Sequence, residues 1–124
     1  MNDSPKTVVV VGASRNPERY SHKAVSQLRH HGYRVIPVNP SGGELLGLEV
    51  VKTLEDVRGE VDTVTLYVRP EISDGLVEVL EFLQPRRVIF NPGTENEGLA
   101  RKLESQAIEA VNFCTLVLLG TGQF

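Results

Sequence analysis

Residues 7–25 read TVVVVGASRNPERYSHKAV, and this stretch decides the fold. Four consecutive valines closed by Gly12 describe a strand covered on both faces, because neither face then needs polar side chains. The segment Ser21–His31 next sets Ala24, Val25 and Leu28 on one helical side, with Gly32 as its stop. A buried strand, a polar loop and an amphipathic helix in that order open an alternating α/β chain.

The alternation continues on the C-terminal side. Tyr33–Val38 (YRVIPV) reads as a second strand, and Pro37 inside it points to a sheet edge or a break in pairing. Asn39-Pro40-Ser41-Gly42-Gly43 is a loop, and Gly47–Val51 reads as a short third strand. Thr53 to Asp56 has the form of a capping box opening a short helix. Asp62–Val68 is a strand, and Pro70 fits the first position of a helix carried by Ile72, Leu76, Val79, Leu80 and Leu83 until Pro85. Arg87–Phe90 is a further strand. Thr94 to Glu97 forms a second capping box, with Leu99, Leu103 and Ala107 on one helical face. Ile108–Phe113 is expected as the last strand, Leu116–Leu119 is a short apolar run, and Gly120–Phe124 gives no clear element. Strands alternating with helices imply right-handed crossovers and a mainly parallel sheet. The expected fold class is α/β, a three-layer doubly wound single domain over residues 7–124 behind a tail at 1–6.

Composition narrows the function classes. At 124 residues with 40% hydrophobic and 23% charged side chains, the chain suits one globular domain. A domain of that size buries roughly two-thirds of its unfolded surface. Thirteen basic residues against 16 acidic ones give a net charge of −3, and no Lys/Arg run is long enough for nucleic acid. A single cysteine excludes an intrachain disulfide framework, and with three histidines it leaves no structural zinc pattern, so no metal is expected. Apolar stretches stay far below the ~18 residues a bilayer requires, and no leader precedes a cleavage site. The expectation is a cytoplasmic protein without a membrane partner.

In an open parallel sheet, ligands bind beyond the carboxyl ends of the strands, where strand order reverses. The loops expected there are Gly12–Tyr20, Asn39–Gly43, Arg69–Pro70 and Asn91–Thr94. In the first, one glycine at the strand end allows a tight turn before a helix whose free N–H groups attract phosphate. Ser14 adds a hydroxyl and Arg15 a guanidinium, with Ser21 and Lys23 in the first helical turn. Two uses stay open for these side chains: phosphate contacts, or turn and cap residues beside solvated cations. The dinucleotide fingerprint G-x-G-x-x-G is absent, because positions 14 and 17 are Ser14 and Pro17. The acidic residue that would hold an unphosphorylated ribose is also absent, since Asn39-Pro40-Ser41 stands after the second strand. A neutral loop suits a nucleotide with a ribose phosphate. No G-K-[ST] follows the first loop either. His22, His30 and His31 fall on or beside the first helix as solvated side chains, and no Ser-His-Asp set or paired carboxylates mark a catalytic centre. Cys114, after an apolar stretch, is expected as a buried, inert thiol.

VVVVGASRNPERYSHKAV, GYRVIPVNPSGGELLGLEV, YVRP at 67–70, IFNPGTENEG and the NFC ending at Cys114 together resemble the small stand-alone CoA-binding domain proteins. Those are similar to the CoA-binding Rossmann-like domain of the succinyl-CoA ligase alpha subunit, and the likeness spans about residues 7–124. It implies a Rossmann-like sheet holding the ADP part of coenzyme A, or of an acyl-CoA, across its carboxyl ends. By position, Gly12, Ala13, Ser14, Arg15 and Asn16 would surround the diphosphate, with Ser21 and Lys23 nearby. Asn39, Pro40 and Ser41 would face the ribose and its 3′-phosphate. Val68, Arg69 and Pro70 would line the adenine side, and Asn91, Pro92 and Gly93 would close the pocket. Many relatives carry Lys or Arg after the Asn-Pro pair; Ser41 and Gly42 follow here, with Arg34 or Arg69 as candidate substitutes. The ligase's phosphorylated histidine belongs to a further domain, so the resemblance implies binding without catalysis. Cys114 then gains a second use, as a contact for the CoA thiol. The rival classes are a small nucleotide-dependent enzyme or enzyme subunit using NAD(P), and a regulatory partner-binding protein with a vestigial pocket. An edge strand and the run Leu116–Leu119 permit either a monomer or a homodimer.

Overall fold

Each valine of β1 (Thr7–Val11) is buried, and the strand divides the core in two. Val8 and Val10 pack with Val25 and Leu28 of α1 (Tyr20–His30), whereas Val9 and Val11 face the opposite layer. The molecule, a computed structural model describing residues 4–124, thus has a sheet covered on both sides. Of the expected tail at 1–6, residues 1–3 lie outside the described residues.

After α1 come β2 (Arg34–Val38), a hairpin of β3 (Glu44–Leu45) and β4 (Leu48–Glu49), and β5 (Thr63–Leu66). The second half runs α2 (Pro70–Ser73), α3 (Val77–Leu83), β6 (Arg87–Phe90), α4 (Glu97–Ser105), β7 (Glu109–Asn112) and α5 (Thr115–Gly120). The main sheet is parallel throughout, in the order β2-β1-β5-β6-β7. Strand order therefore reverses between β1 and β5, the place where open sheets of this kind bind ligands. Helices α1 and α5 pack together on one face, and α3 and α4 on the other. The doubly wound α/β class is as the sequence implied.

The edge position of β2 agrees with Pro37. The Pro37 carbonyl accepts from Val51 on the outer side, so the nitrogen that lacks a hydrogen also points away from β1 and removes no bond from that ladder. Several local expectations need correction. The segment Gly47–Val51 contributes the two-residue strand Leu48–Glu49, paired antiparallel with Glu44–Leu45 across a turn where Leu46 and Gly47 both have positive φ, 50° and 80°, and a single parallel bridge from Val51 to Val38. The Thr53 box holds a 3₁₀ turn at Leu54–Asp56, and the Thr53 hydroxyl donates to the Asp56 carboxylate at 3.0 Å instead of capping a backbone N–H. The expected helix after Pro70 is broken by a 3₁₀ turn over Asp74–Leu76, where Gly75 weakens helical order, and Ile72 is exposed. Helix α4 is capped by Asn96, whose side chain accepts from Leu99 N at 3.1 Å, while the Thr94 hydroxyl donates to the Asn91 carbonyl. Ala107 lies past the helix end with φ 63° and is exposed.

The apolar run near the C-terminus forms α5, which buries Leu118 and Leu119. Phe124 closes over the buried Arg87, whose guanidinium lies 4.3 Å from the ring centroid and donates to Thr63 Oγ1 at 3.0 Å. Among the described residues, no helix is long and apolar enough to cross a membrane.

Candidate functional site at the carboxyl rim

Because all five strands run the same way, their carboxyl ends meet at one rim, and the first loop crosses its centre. Gly12 adopts φ +87°, a conformation that disfavours any Cβ. A Cβ there would also lie 2.8 Å from the Tyr67 carbonyl oxygen and 2.9 Å from Val68 Cγ1. Glycine thus lets the turn after β1 press against the end of β5. The N–H groups of Gly12 and Ala13 both donate to the Val38 carbonyl, so they form the floor of the site. Ser14 Oγ accepts from Asn16 N at 3.1 Å, and Asn16 Oδ1 accepts from Glu18 N at 3.0 Å. His22 is not a solvated side chain: its Nδ1–H donates to the Ser14 carbonyl at 2.9 Å and pins the loop to α1. Lys23 is exposed and stands 5.6 Å above the Tyr20 ring.

Gly12, Ser14, Arg19, Tyr20, Ser21 and Tyr67 line an open hollow of about 330 Å³ at the start of α1. At the start of α1 the His22 and Lys23 N–H groups donate to the Arg19 carbonyl, which leaves those of Tyr20 and Ser21 at the positive end of the helix. Hydroxyls, a guanidinium and the helix start form this lining, without a carboxylate. Such a donor set fits an anionic group. Arg19, the residue before the first helical turn, was not among the sequence candidates; the helix starting at Tyr20 instead of Ser21 is what brings it to the rim.

The second loop is tied to the first. Asn39 Nδ2 donates to the Ala13 carbonyl at 2.7 Å, while its Oδ1 accepts from both Ser41 N and Ser41 Oγ. Arg15 crosses to this loop, donating from Nε to the Glu44 carbonyl at 2.9 Å and from Nη1 to Ser41 Oγ at 3.0 Å. Its Nη2 also donates to the Gly42 carbonyl. Lys52 lies along the other side of Gly42; a Cβ on that glycine would be 3.0 Å from Lys52 Cε. No sequence signal marked Lys52, because only the parallel bridge between Val38 and Val51 brings it beside Asn39. Arg34, a candidate for neutralising a phosphate at Ser41, stands at the first position of β2 and thus at the opposite rim.

The third loop brings Val68 against Gly12, leaves Arg69 exposed at the start of α2, and places Pro70 at the first turn. In the fourth, Pro92 and Gly93 are exposed, whereas Asn91 is buried. Asn91 Nδ2 donates to Thr65 Oγ1 at 2.6 Å and to the Leu66 carbonyl at 2.8 Å, and its Oδ1 accepts from Thr115 N. That side chain joins β5, β6 and α5 and is turned into the protein. Beside it, Thr65 and Thr115 share a hydroxyl hydrogen bond of 2.8 Å. The nearby Tyr67 hydroxyl is buried without a hydrogen-bond partner among the described residues. Burial pushes the Tyr67 phenol up to about 12, with the neighbouring threonine hydroxyls pulling the other way and the Cys114 charge adding to the rise. Cys114 itself, just beyond β7, is a free thiol of intermediate exposure and not the buried group expected.

A parallel doubly wound sheet, with its switch point flanked by these interlocked loops, defines a Rossmann-like α/β domain. The sequence model of the CoA-binding domain family matches residues 6–120, and the chain belongs to that family. It is 35% identical over 103 residues to the uncharacterized protein YneT of Bacillus subtilis, covering 82% of this chain and 75% of that one. It is 27% identical over 107 residues to the alpha subunit of acetate–CoA ligase (ADP-forming) II of Pyrococcus furiosus, across 85% of this chain but only 23% of the subunit. A crystal structure described as that of an uncharacterized protein superposes with a TM-score of 0.90 at 41% identity, covering 98% of this chain and all of the other.

Proposed function

We propose that this chain binds coenzyme A or an acyl-CoA through its ADP moiety at the carboxyl rim, without carrying out chemistry on it. The match of the CoA-binding family over residues 6–120 carries this reading. The donor set at the start of α1, free of carboxylates, supports it. In this arrangement Gly12 and Ala13 form the floor, and Ser14, Asn16 and Ser21 surround the diphosphate with Lys23 at the margin. Asn39, Pro40 and Ser41 face the ribose, Val68, Arg69 and Pro70 flank the adenine, and Pro92 and Gly93 close the outer side. Asn91 acts from behind, holding the end of β6 in place through its buried hydrogen bonds. Cys114 stands at the same rim as the one thiol that the far end of the coenzyme could meet.

A ligand held only by the folded state raises stability by mass action, by about 2.7 kcal/mol at a concentration a hundred times its dissociation constant. Thermal unfolding with CoA, NADP and NAD is the test, and CoA is expected to raise the melting temperature most. Stabilisation by NADP but not CoA would replace this reading with a dinucleotide-dependent enzyme. No shift with any of the three at millimolar concentration would leave a regulatory protein with a vestigial pocket. Native mass spectrometry with CoA disulfide reads the thiol directly: exchange at Cys114 would leave a mixed disulfide on the protein and release one CoA thiol, and that adduct should be absent from Cys114→Ser.

A further inference from the structure

Arg15 belongs to the first loop in sequence but to the second in space. Three of its N–H groups are fixed by Glu44, Ser41 and Gly42. A guanidinium has five, so two remain for a ligand while the group is already held in place. Gly43, at φ +86°, lies against the guanidinium, and a Cβ there would push Arg15 Nη2 aside. On the far side of the same loop the Lys52 chain packs against Gly42, and Lys52 makes no ion pair among the described residues. Glu49 and Asp56 line the same hollow as Lys52, whereas the guanidinium of Arg15 is fixed by its three hydrogen bonds. A loop whose own side chains are neutral is thus flanked by two positive groups delivered from elsewhere in the chain.

We propose that Arg15, assisted by Lys52, reads a phosphate on the ribose and so makes the chain prefer a 3′-phosphorylated nucleotide to its dephosphorylated form. This rests on the CoA reading above and moves Arg15 from the diphosphate to the ribose phosphate. A pre-positioned guanidinium suits the task, because its planar fork matches phosphate oxygens and little freedom is lost on binding.

Titration calorimetry with CoA and dephospho-CoA tests it. The native protein should bind CoA at least about tenfold more tightly than dephospho-CoA, the scale of one or two charge-assisted hydrogen bonds. Arg15→Gln should bring that ratio close to one by weakening CoA alone. Arg15→Lys, which keeps the charge but not the fork, should retain part of the preference, and Lys52→Gln should reduce it by roughly threefold. Equal loss of affinity for both nucleotides in Arg15→Gln would overturn the proposal, since it would mean a diphosphate contact or a mere loop tie. So would a native protein that binds both equally well. Should Arg15→Gln fail to fold, unchanged ratios in Arg15→Lys and Lys52→Gln would overturn it just as firmly. A native protein that binds neither nucleotide overturns the CoA reading itself, and this proposal with it.

Discussion

Tyr67 places a hydroxyl where no hydrogen-bond partner meets it among the described residues. Its hydroxyl is buried beside Thr65 and Thr115, which bond to each other, and its ionisation is pushed from the usual 10 to about 12. A phenol whose folded value lies above its unfolded value leaves stability unaffected below pH 10, where both states are protonated, and lowers it as the pH rises from 10 through about 12, because only the unfolded chain ionises freely there. Tyr67→Phe should therefore remove the part of alkaline destabilisation that falls in this window, measured by denaturant unfolding at several pH values. At neutral pH the variant should be as stable as the native protein or gain about 1 kcal/mol, because it deletes a buried donor that lacks a partner. An unchanged pH profile would contradict this assignment. Little of this was legible beforehand, since YVRP marks a strand end without saying which groups the phenol would meet. Gly12, in contrast, could be read from the sequence: a glycine closing a buried Val run is the residue a tight turn requires, and the approach of Tyr67 and Val68 supplies the physical cause. Arg15 was legible as a cation of the first loop but not as a tenant of the second, because its partners Ser41, Gly42 and Glu44 lie 26 to 29 residues away.

At the scale of elements, strands β1, β2, β5, β6 and β7 followed from apolar runs, whereas ends and caps were harder to place. Thr94 and Asn96 both have cap chemistry, and the choice between them depends on tertiary partners. Asn96 accepts from Leu99 N while its amide donates to Ser73 Oγ at 2.9 Å and Asp74 Oδ1 at 2.8 Å, thereby tying the start of α4 to the end of α2. Thr94 is drawn away to the Asn91 carbonyl. Asn96→Ala should lower unfolding stability by about 1–2 kcal/mol, the loss of one cap and its ties. Asn96→Ser, which keeps an acceptor at the cap, should recover part of that loss. A midpoint unmoved by Asn96→Ala in denaturant titration would return the cap to Thr94. The β3–β4 hairpin was missed for a related reason. Its turn places Leu46 at positive φ, where leucine gives no sequence signal, and only the neighbouring Gly47 fits the usual chemistry of such a turn.

At the scale of the molecule, a buried central strand and regular alternation made the doubly wound architecture legible. An all-apolar β1 must be covered from both sides, and parallel neighbours joined through helices supply that cover. Which loops meet at the rim followed from the class of fold. How they interlock did not, because Arg15, Asn39 and Lys52 find their neighbours only once the strands are ordered. The proposed place of coenzyme A is the carboxyl rim between β1 and β5. Backbone amide chemical shifts followed by NMR during a CoA titration test both the ligand and its place. Saturable changes are expected over Gly12–Ser21, Ser41–Gly43 and Val68–Arg69, with Arg34, Asp62 and Arg86 at the opposite rim unmoved. Spectra indifferent to millimolar CoA, or changes centred on that opposite rim, would contradict it.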